Sequence, residues 1–416
     1  MAEIFPFHPY RYTPTAGPLG LLATQPYDKI SAAMRERYLE ASPYNPVRVI
    51  LGKPAPGDSQ SDNVYTRAAR HLEDWIGSGI LAREAEPSLF AYFQEFTVPD
   101  TGERLTRKGF IGLGAVEDYS TGVVHRHEQT LSGPKRDRME LLRHTRAHFG
   151  QLFMLYPDPD CAVDRILDQA AAGEPTMAVE DEYGAIHRAW KIAEPERIAE
   201  IQRLMQPKNL VIADGHHRYE TALAFRDANP QLEDARRVMM TFVNMHSPGL
   251  KILATHRLID NLAGFDATRF LEKAAASFRV ELVDSSDALR KAWSEPHEGR
   301  ARIGVAIRGS DRLCLLEAAR GPREPDVAVL HQRLLGDVLG IGEEAVREER
   351  YLRYVRGLDT AIELVRGGSA QMAFLLKATP IGEVADISFS GGVMPQKSTD
   401  FYPKLLSGLA IYRLER

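Results

Sequence analysis

Leu210-Val211-Ile212-Ala213-Asp214-Gly215-His216-His217-Arg218-Tyr219 passes from an apolar run through a polar turn into a periodic segment. The apolar residues fit a buried strand, and Tyr219, Ala222, Leu223 and Phe225 recur at helical spacing, so the stretch reads as strand, tight turn, helix. A glycine at such a corner lets the backbone approach a ligand while the first helical N–H groups point outward. Anions are attracted there. The alternation extends outward on both sides. Residues 152–156 read as a buried strand, 163–171 and 195–204 as helices, and 176–179, 185–192 and 237–243 as strands. Upstream, 89–98 and 109–116 form a β pair, 47–51 reads as a strand, and Asp62 caps a helix through Tyr65, Ala68, Leu72 and Ile76. Pro134 opens a helix that runs through His148 to Gly150. Residues 5–26, with five prolines, read as an irregular arm.

This pattern predicts an α/β fold, with mixed α+β as its looser form, dividing near Asp260-Asn261. Residues 1–260 carry the Asp-Gly-His-His-Arg corner, and 261–416 contribute a Met394-Pro395-x-Lys397-Ser398-Thr399 loop. The chain has 416 residues, 44% of them hydrophobic, enough for a sizeable core. Its 52 Lys plus Arg against 57 Asp plus Glu give a formal charge of -5, which argues against bulk nucleic acid as a partner and makes any basic site local. Cys161 and Cys314 are too few for a zinc ribbon or disulfide scaffold and suit a reducing, cytoplasmic setting. There is no bilayer-length apolar run and no secretion signal at the start, so no membrane partner is expected. Oligomeric state is not legible.

Chemistry-bearing residues gather in a few motifs. Arg218 offers a fork of donors beside Gly215 and His216, suited to phosphate or carboxylate; His217 can carry a proton, and Asp214 can take one or hold Mg²⁺. His127 and Glu128 lie in a predicted loop with His125 close by. Glu128 is the candidate base for a substrate hydroxyl and Asp28 its rival. His144 and His148 fall four apart on one predicted helix, but Thr145 replaces the glutamate of a zinc-protease motif. Gly391 to Ser398 has P-loop spacing at Gly391, Lys397 and Ser398 only; Gln396 stands where the second glycine belongs and Pro395 interrupts the N–H cradle. Lys397 and Lys404 remain as point charges for an anion. No Gly-x-Gly-x-x-Gly follows a strand, which argues against a dinucleotide.

The run Ile212 to Ala222 resembles the signature of the bacterial and archaeal family called domain of unknown function 1015. Pro26-Tyr27-Asp28, His127-Glu128-Gln129-Thr130 and Met394-Pro395-Gln396-Lys397-Ser398-Thr399-Asp400-Phe401-Tyr402-Pro403-Lys404 resemble its other motifs. Gly215-x-His217-Arg218 also resembles the phosphate-binding signature of the ParB and sulfiredoxin superfamily, whose members include nucleotide-dependent kinases of free serine. That resemblance implies a ParB/sulfiredoxin-like central unit with an additional mixed α/β region. It implies a phosphotransferase using ATP or ADP with Mg²⁺ on a small hydroxyl metabolite, with free L-serine the suggested acceptor. Gly215, His216 and Arg218 would then hold the nucleotide; Tyr27, Asp28, His127, Thr130, Lys397, Ser398 and Lys404 the substrate; and Glu128, Asp214 and His217 the chemistry, Asp214 also the metal. Sulfinic-acid reduction is not implied, because His216 stands where that chemistry needs cysteine. Two other readings stay open: a nucleotide- or ligand-binding regulator of ParB type, and a metal-dependent hydrolase using His125, His127, His216 and His217.

Overall fold

The computed structural model describes residues 1–128, 132–297 and 299–415. Its architecture is mixed α/β. The central sheet contains β1 (Ile4–Phe5), β2 (Leu89–Thr97), β3 (Arg104–Ala115), β4 (Val124–His125), β5 (Leu152–Tyr156), β6 (Met177–Glu180), β7 (Ile186–Ile192), β8 (Leu210–Asp214) and β9 (Arg237–Asn244). Their order is β4-β8-β5-β9-β3-β2-β7-β6, with β1 added to β3. The sheet is mixed: β8 runs parallel to β4 and β9 parallel to β5, whereas the β8–β5, β9–β3 and β3–β2 pairs are antiparallel.

Strand periodicity explains how both faces are covered. Leu152, Met154, Leu210 and Ile212 join one core with residues of the helices Ala162–Ala170 and Pro195–Met205. The alternate residues Phe153, Leu155, Val211 and Ala213 face the other core, which the end of the chain closes with Leu405, Leu406, Leu409 and Tyr412. A second, wholly antiparallel sheet orders the strands Arg279–Val283, Leu313–Ala319, Arg300–Ile307, Met372–Leu375, His256–Ile259 and Leu352–Val355.

After that second sheet the chain returns to the first. Met394 N–H donates to His127 O at 2.7 Å, Asp400–Tyr402 pairs with Lys251–Leu253, Ser407 bridges to Thr24 and Ile411 to Tyr10. The C-terminal tail is thereby tied to residues 10, 24, 127 and 251–253, and its apolar side chains are part of the core on one face of the central sheet.

Several local expectations are corrected. Residues 47–51 are not a strand: Val47–Ile50 is a short helix, because Asn45 Oδ1 accepts from Val47 N–H at 3.0 Å and Arg48 donates to Leu39 O at 2.6 Å. Val49 and Ile50 then pack on Ala68, Leu72 and Trp75, and this tertiary contact overrides their β preference. His144 and His148 do not share a helix. The helix Ser132–Thr145 ends before His148, which lies in the short strand Ala147–His148 after Arg146 turns the backbone at φ 46°. The arm 5–26 is partly regular, with Tyr10–Tyr12 paired to Leu81–Arg83.

The helix Val64–Gly77 is capped by Asn63 rather than Asp62. Asn63 accepts from the N–H groups of Tyr65 and Thr66, and Thr66 Oγ1 accepts from Asn63 N–H in return. Asp62 instead pairs with Arg70 on the surface at 2.5 Å. Asn63→Ala is therefore expected to cost about 1 kcal/mol in denaturant unfolding, and Asp62→Ala no more than about 0.5 kcal/mol. The opposite ranking would return the cap to Asp62.

Candidate functional site

β8 ends at Asp214, Gly215 turns the chain at φ 99°, and the helix His216–Ala228 begins with no side chain capping it. A Cβ on Gly215 would stand 2.8 Å from Leu152 Cδ2 and 3.0 Å from Arg218 Nη2, so both space and backbone require glycine. The corner is what the sequence predicts. Its first turn, without a side-chain cap, leaves N–H groups and the positive end of the helix dipole beside Asp214.

Cations surround this turn. Arg218 Nη2 reaches Asp214 Oδ2 at 2.9 Å and Nη1 donates to Gln151 O. Lys404 Nζ, almost wholly buried, lies 3.6 Å from Asp214 Oδ1 and 3.1 Å from Asp400 Oδ1, while Arg356 grips the far side of Asp400. Burial alone would raise the Asp214 carboxyl, but the charges of Lys404, Arg218 and Lys29 outweigh it and hold the pKa well below the ordinary range. Lys404 is displaced the other way: burial works against its charge, and Asp214 and Asp400 overcome that. Both oxygens of Asp214 thus face protein cations, which makes it a poor direct ligand for Mg²⁺.

The tail brings a second group against β8. His127 Nδ1–H donates to Ile212 O at 2.6 Å, which leaves Nε2 as the acceptor for Thr399 Oγ1–H at 2.7 Å. Thr399 N–H donates to Glu128 Oε1 at 3.4 Å, and His127 N–H to His216 Nε2 at 3.4 Å. One hydrogen-bonded chain therefore joins Glu128 through Thr399 and His127 to the first residue of the helix. His125 sits apart, with its ring nitrogens against Ser388 O and Gly122 O. The ring contacts of His125, His127 and His216 are thus with groups of the protein itself, and among the described residues no cluster of three His, Cys, Asp or Glu side chains could hold a metal.

The remaining candidate residues lie as follows. Lys29 is near enough to Lys404, Asp28, Asp214 and Lys397 for each to act on its charge, and its pKa is lowered, first by burial and then by Lys404. Asp28 and Lys397 act likewise on His217, whose pKa burial lowers. The ring of Tyr27 stacks under the Arg138 guanidinium at 4.0 Å, and Tyr27 and Arg218 line one small cavity. Lys397 and Lys404 border an open cavity of about 260 Å³ together with Lys29, Arg356 and Thr399. Ser398 turns its hydroxyl back to Pro395 O at 2.5 Å. Thr130 lies outside the described residues.

Two arginines that sequence reasoning missed fix this arrangement. Arg107, fully buried, donates to Gln94 Oε1 at 2.9 Å, Tyr402 O at 3.1 Å and Pro403 O at 2.5 Å, over the Phe153 ring at 4.5 Å. Gln94 Nε2 adds a hydrogen bond to Lys404 O at 2.9 Å. Arg257, also fully buried, holds Lys397 O at 2.9 Å and Gln396 O at 3.3 Å. Lys397 has φ 57°, a left-handed backbone that a lysine adopts only when its surroundings impose it. Among the described residues no carboxylate lies within ion-pair distance of Arg107, Arg257 or Lys397. Burial lowers Arg107 to about 9 and Arg257 to about 10, values at which both stay charged near neutrality.

The family model described as Protein of unknown function (DUF1015) matches residues 4–360. The chain belongs to that family. No curated protein matches it. Among solved structures, this DUF1015 protein is similar to a free serine kinase in complex with AMP, at 13% identity, a TM-score of 0.39, and coverage of 70% of this chain and 88% of that one. A conserved hypothetical protein from Pyrococcus furiosus aligns at 15% identity and a TM-score of 0.36, covering 68% of this chain and 89% of that one. SbnI from Staphylococcus aureus aligns at 10% identity and a TM-score of 0.33, with coverage of 71% and 85%.

The site predicts a defined response to acid. Burial keeps His127, His216 and His148 neutral, His148 with a pKa of about 4. Unfolded, each would take a proton near pH 6.5, so below that pH the unfolded state binds more protons and stability falls as pH falls. The depressed carboxyls of Asp214 and Asp400 add their own loss only below about pH 4. Melting temperature is expected to be level above about pH 7 and to drop below about 6.5. His148→Gln should flatten the slope between about pH 6.5 and 4, and an unchanged slope would contradict a buried neutral His148.

Proposed function

We propose that this DUF1015 protein is a nucleotide-dependent phosphotransferase acting on a small hydroxyl-bearing metabolite, with free L-serine the leading acceptor. The observation that carries the reading is the N-terminus of His216–Ala228, without a side-chain cap and close to Arg218, Lys404 and Lys29. Helix N–H groups, a dipole, Lys397 with no carboxylate in ion-pair distance among the described residues, and Lys404 shared between Asp214 and Asp400 would form a receptor for the phosphates of ATP or ADP. The Gly215-x-His217-Arg218 resemblance points the same way.

In this reading Lys397 and Lys404 neutralise charge on the transferring phosphoryl group, and Arg218 holds Asp214 at the lip of the turn. Glu128, oriented by Thr399 and His127, is the base. The acceptor oxygen bonds to the terminal phosphorus, the bond from that phosphorus to the nucleotide's bridging oxygen breaks, and the hydroxyl proton passes to Glu128. Asp28 is the carboxylate best suited to reach a Mg²⁺ that arrives with the nucleotide, because Glu128 serves as the base and Asp214 is already paired with cations. Such an ion would add charge neutralisation on the phosphates.

Phosphorus NMR of the protein with ATP or ADP, Mg²⁺ and a panel of hydroxy amino acids tests the reading. A phosphomonoester signal growing with loss of the terminal phosphate is expected. Glu128→Gln should lower turnover by about a hundredfold or more while calorimetry shows nucleotide affinity unchanged. Arg218→Ala should weaken nucleotide binding by about ten- to a hundredfold, and Arg218→Lys should recover only part of it because the planar fork is lost. Binding without any turnover would make the protein a regulator; no nucleotide binding at all would remove the proposal.

A further inference from the structure

Four cations line the open cavity of about 260 Å³: Lys29, Lys397 and Lys404, and Arg356 just past the edge strand of the second sheet. Two tyrosines line it as well, Tyr183 and Tyr354. The cations suit phosphate groups, but phosphate gives an aromatic ring nothing to bind. Tyr354 is already used by the protein, since it is half-buried and the Arg257 guanidinium lies 5.4 Å from its ring centroid. Tyr183 is not. It is 54% exposed, and none of the ring–ring or cation–ring contacts among the described residues involves it.

Tyr183 sits on the turn between β6 and β7, and the backbone that carries it is firmly held. Gly184 N–H donates to Asp181 O at 3.0 Å, and Asp181 Oδ1 accepts from the N–H groups of Tyr183 and Ala185, each at 2.9 Å. The other carboxylate oxygen, Oδ2, accepts from Gln25 Nε2 and from His187 Nε2–H, both at 3.3 Å. From His187 the network runs on to Gln94, whose Nε2 stands 3.3 Å from His187 Nδ1 and donates to Lys404 O at 2.9 Å. One set of buried side chains, Asp181, His187 and Gln94, therefore fixes both the turn that presents Tyr183 and the backbone of Lys404. The Tyr183 phenol is also near enough to Arg356 to act on its charge, and ion pairs join Arg356, Asp400, Lys404 and Asp214 in that order from there to the helix turn. An aromatic ring on a pre-set backbone loses little freedom when a ligand packs on it.

We propose that Tyr183 is the stacking platform for the base of a nucleotide whose phosphates lie on Lys397 and Lys404. The inference rests on the nucleotide-dependent reading above and adds to it the place of the base. A nucleobase offers its π face to the free ring and covers apolar area that Tyr183 otherwise exposes to water, while the phosphates joined to it through the ribose answer the cations of the same cavity. Inorganic phosphate would use the cations alone.

Calorimetric titration of the full chain with ADP and, separately, with pyrophosphate tests this, because pyrophosphate offers the anion without a base. Tyr183→Ala, at an exposed turn, is expected to weaken ADP binding by about five- to a hundredfold and to leave pyrophosphate within about twofold. Tyr183→Phe keeps the ring and should hold ADP within about twofold. Lys397→Ala should weaken both ligands. Unchanged ADP affinity in Tyr183→Ala, an equal loss of pyrophosphate in that variant, or a loss in Tyr183→Phe as large as in Tyr183→Ala would each overturn the platform and leave the phosphate site standing. Binding of neither ADP nor pyrophosphate by the unaltered protein would remove the platform and the phosphotransferase reading together.

Discussion

The Arg107 guanidinium, buried under the central sheet and bonded to the carbonyls of Tyr402 and Pro403, is the contact on which the rest of the molecule depends. A buried cation without a carboxylate is expensive, and it is tolerated only where its donors are filled. Here Gln94 and the tail fill them, so the C-terminal segment is held where Lys404 meets Asp214. Arg257 does the same for Gln396 and Lys397 from the second sheet. The two clamps grip one loop from opposite units and bring its lysines to the helix turn.

The electrostatic consequence follows from Coulomb's law in a poorly hydrated setting. Arg107, Arg257 and Lys397 add positive charge without adding counter-ions, and Asp214 and Asp400 are already shared among Arg218, Lys404 and Arg356. The chain as a whole carries a formal charge of -5, so the positive field is a local construction rather than a property of the composition. The helix dipole and the clamped lysines are the basis of the anion site proposed above.

Much of this was legible from sequence. The switch from an apolar run to helical period around Gly215 placed the turn correctly, since a strand feeding a helix through a left-handed glycine leaves a local signature. Glu128, Asp28, Lys397 and Lys404 were visible as polar motifs. What composition and spacing do not carry is pairing across the chain: Arg107 stands 295 residues from Tyr402 and reads locally as one more charged residue at the start of a strand. Thr399 belongs to a motif visible in the sequence, yet its tie to His127 and Glu128 needs the tail's return path. Val47 to Ile50 misled because a cap and a hydrophobic partner outweighed β-branched preference, and His148 because the helix ended early.

The most direct measurement is a crystal structure of the protein with ADP bound. The account predicts a phosphate group on the N–H groups at the start of His216–Ala228, with Lys397 and Lys404 Nζ within ion-pair distance and the Glu128 carboxylate facing the terminal phosphoryl group. ADP bound elsewhere, or a phosphate at the turn without either lysine, would contradict it.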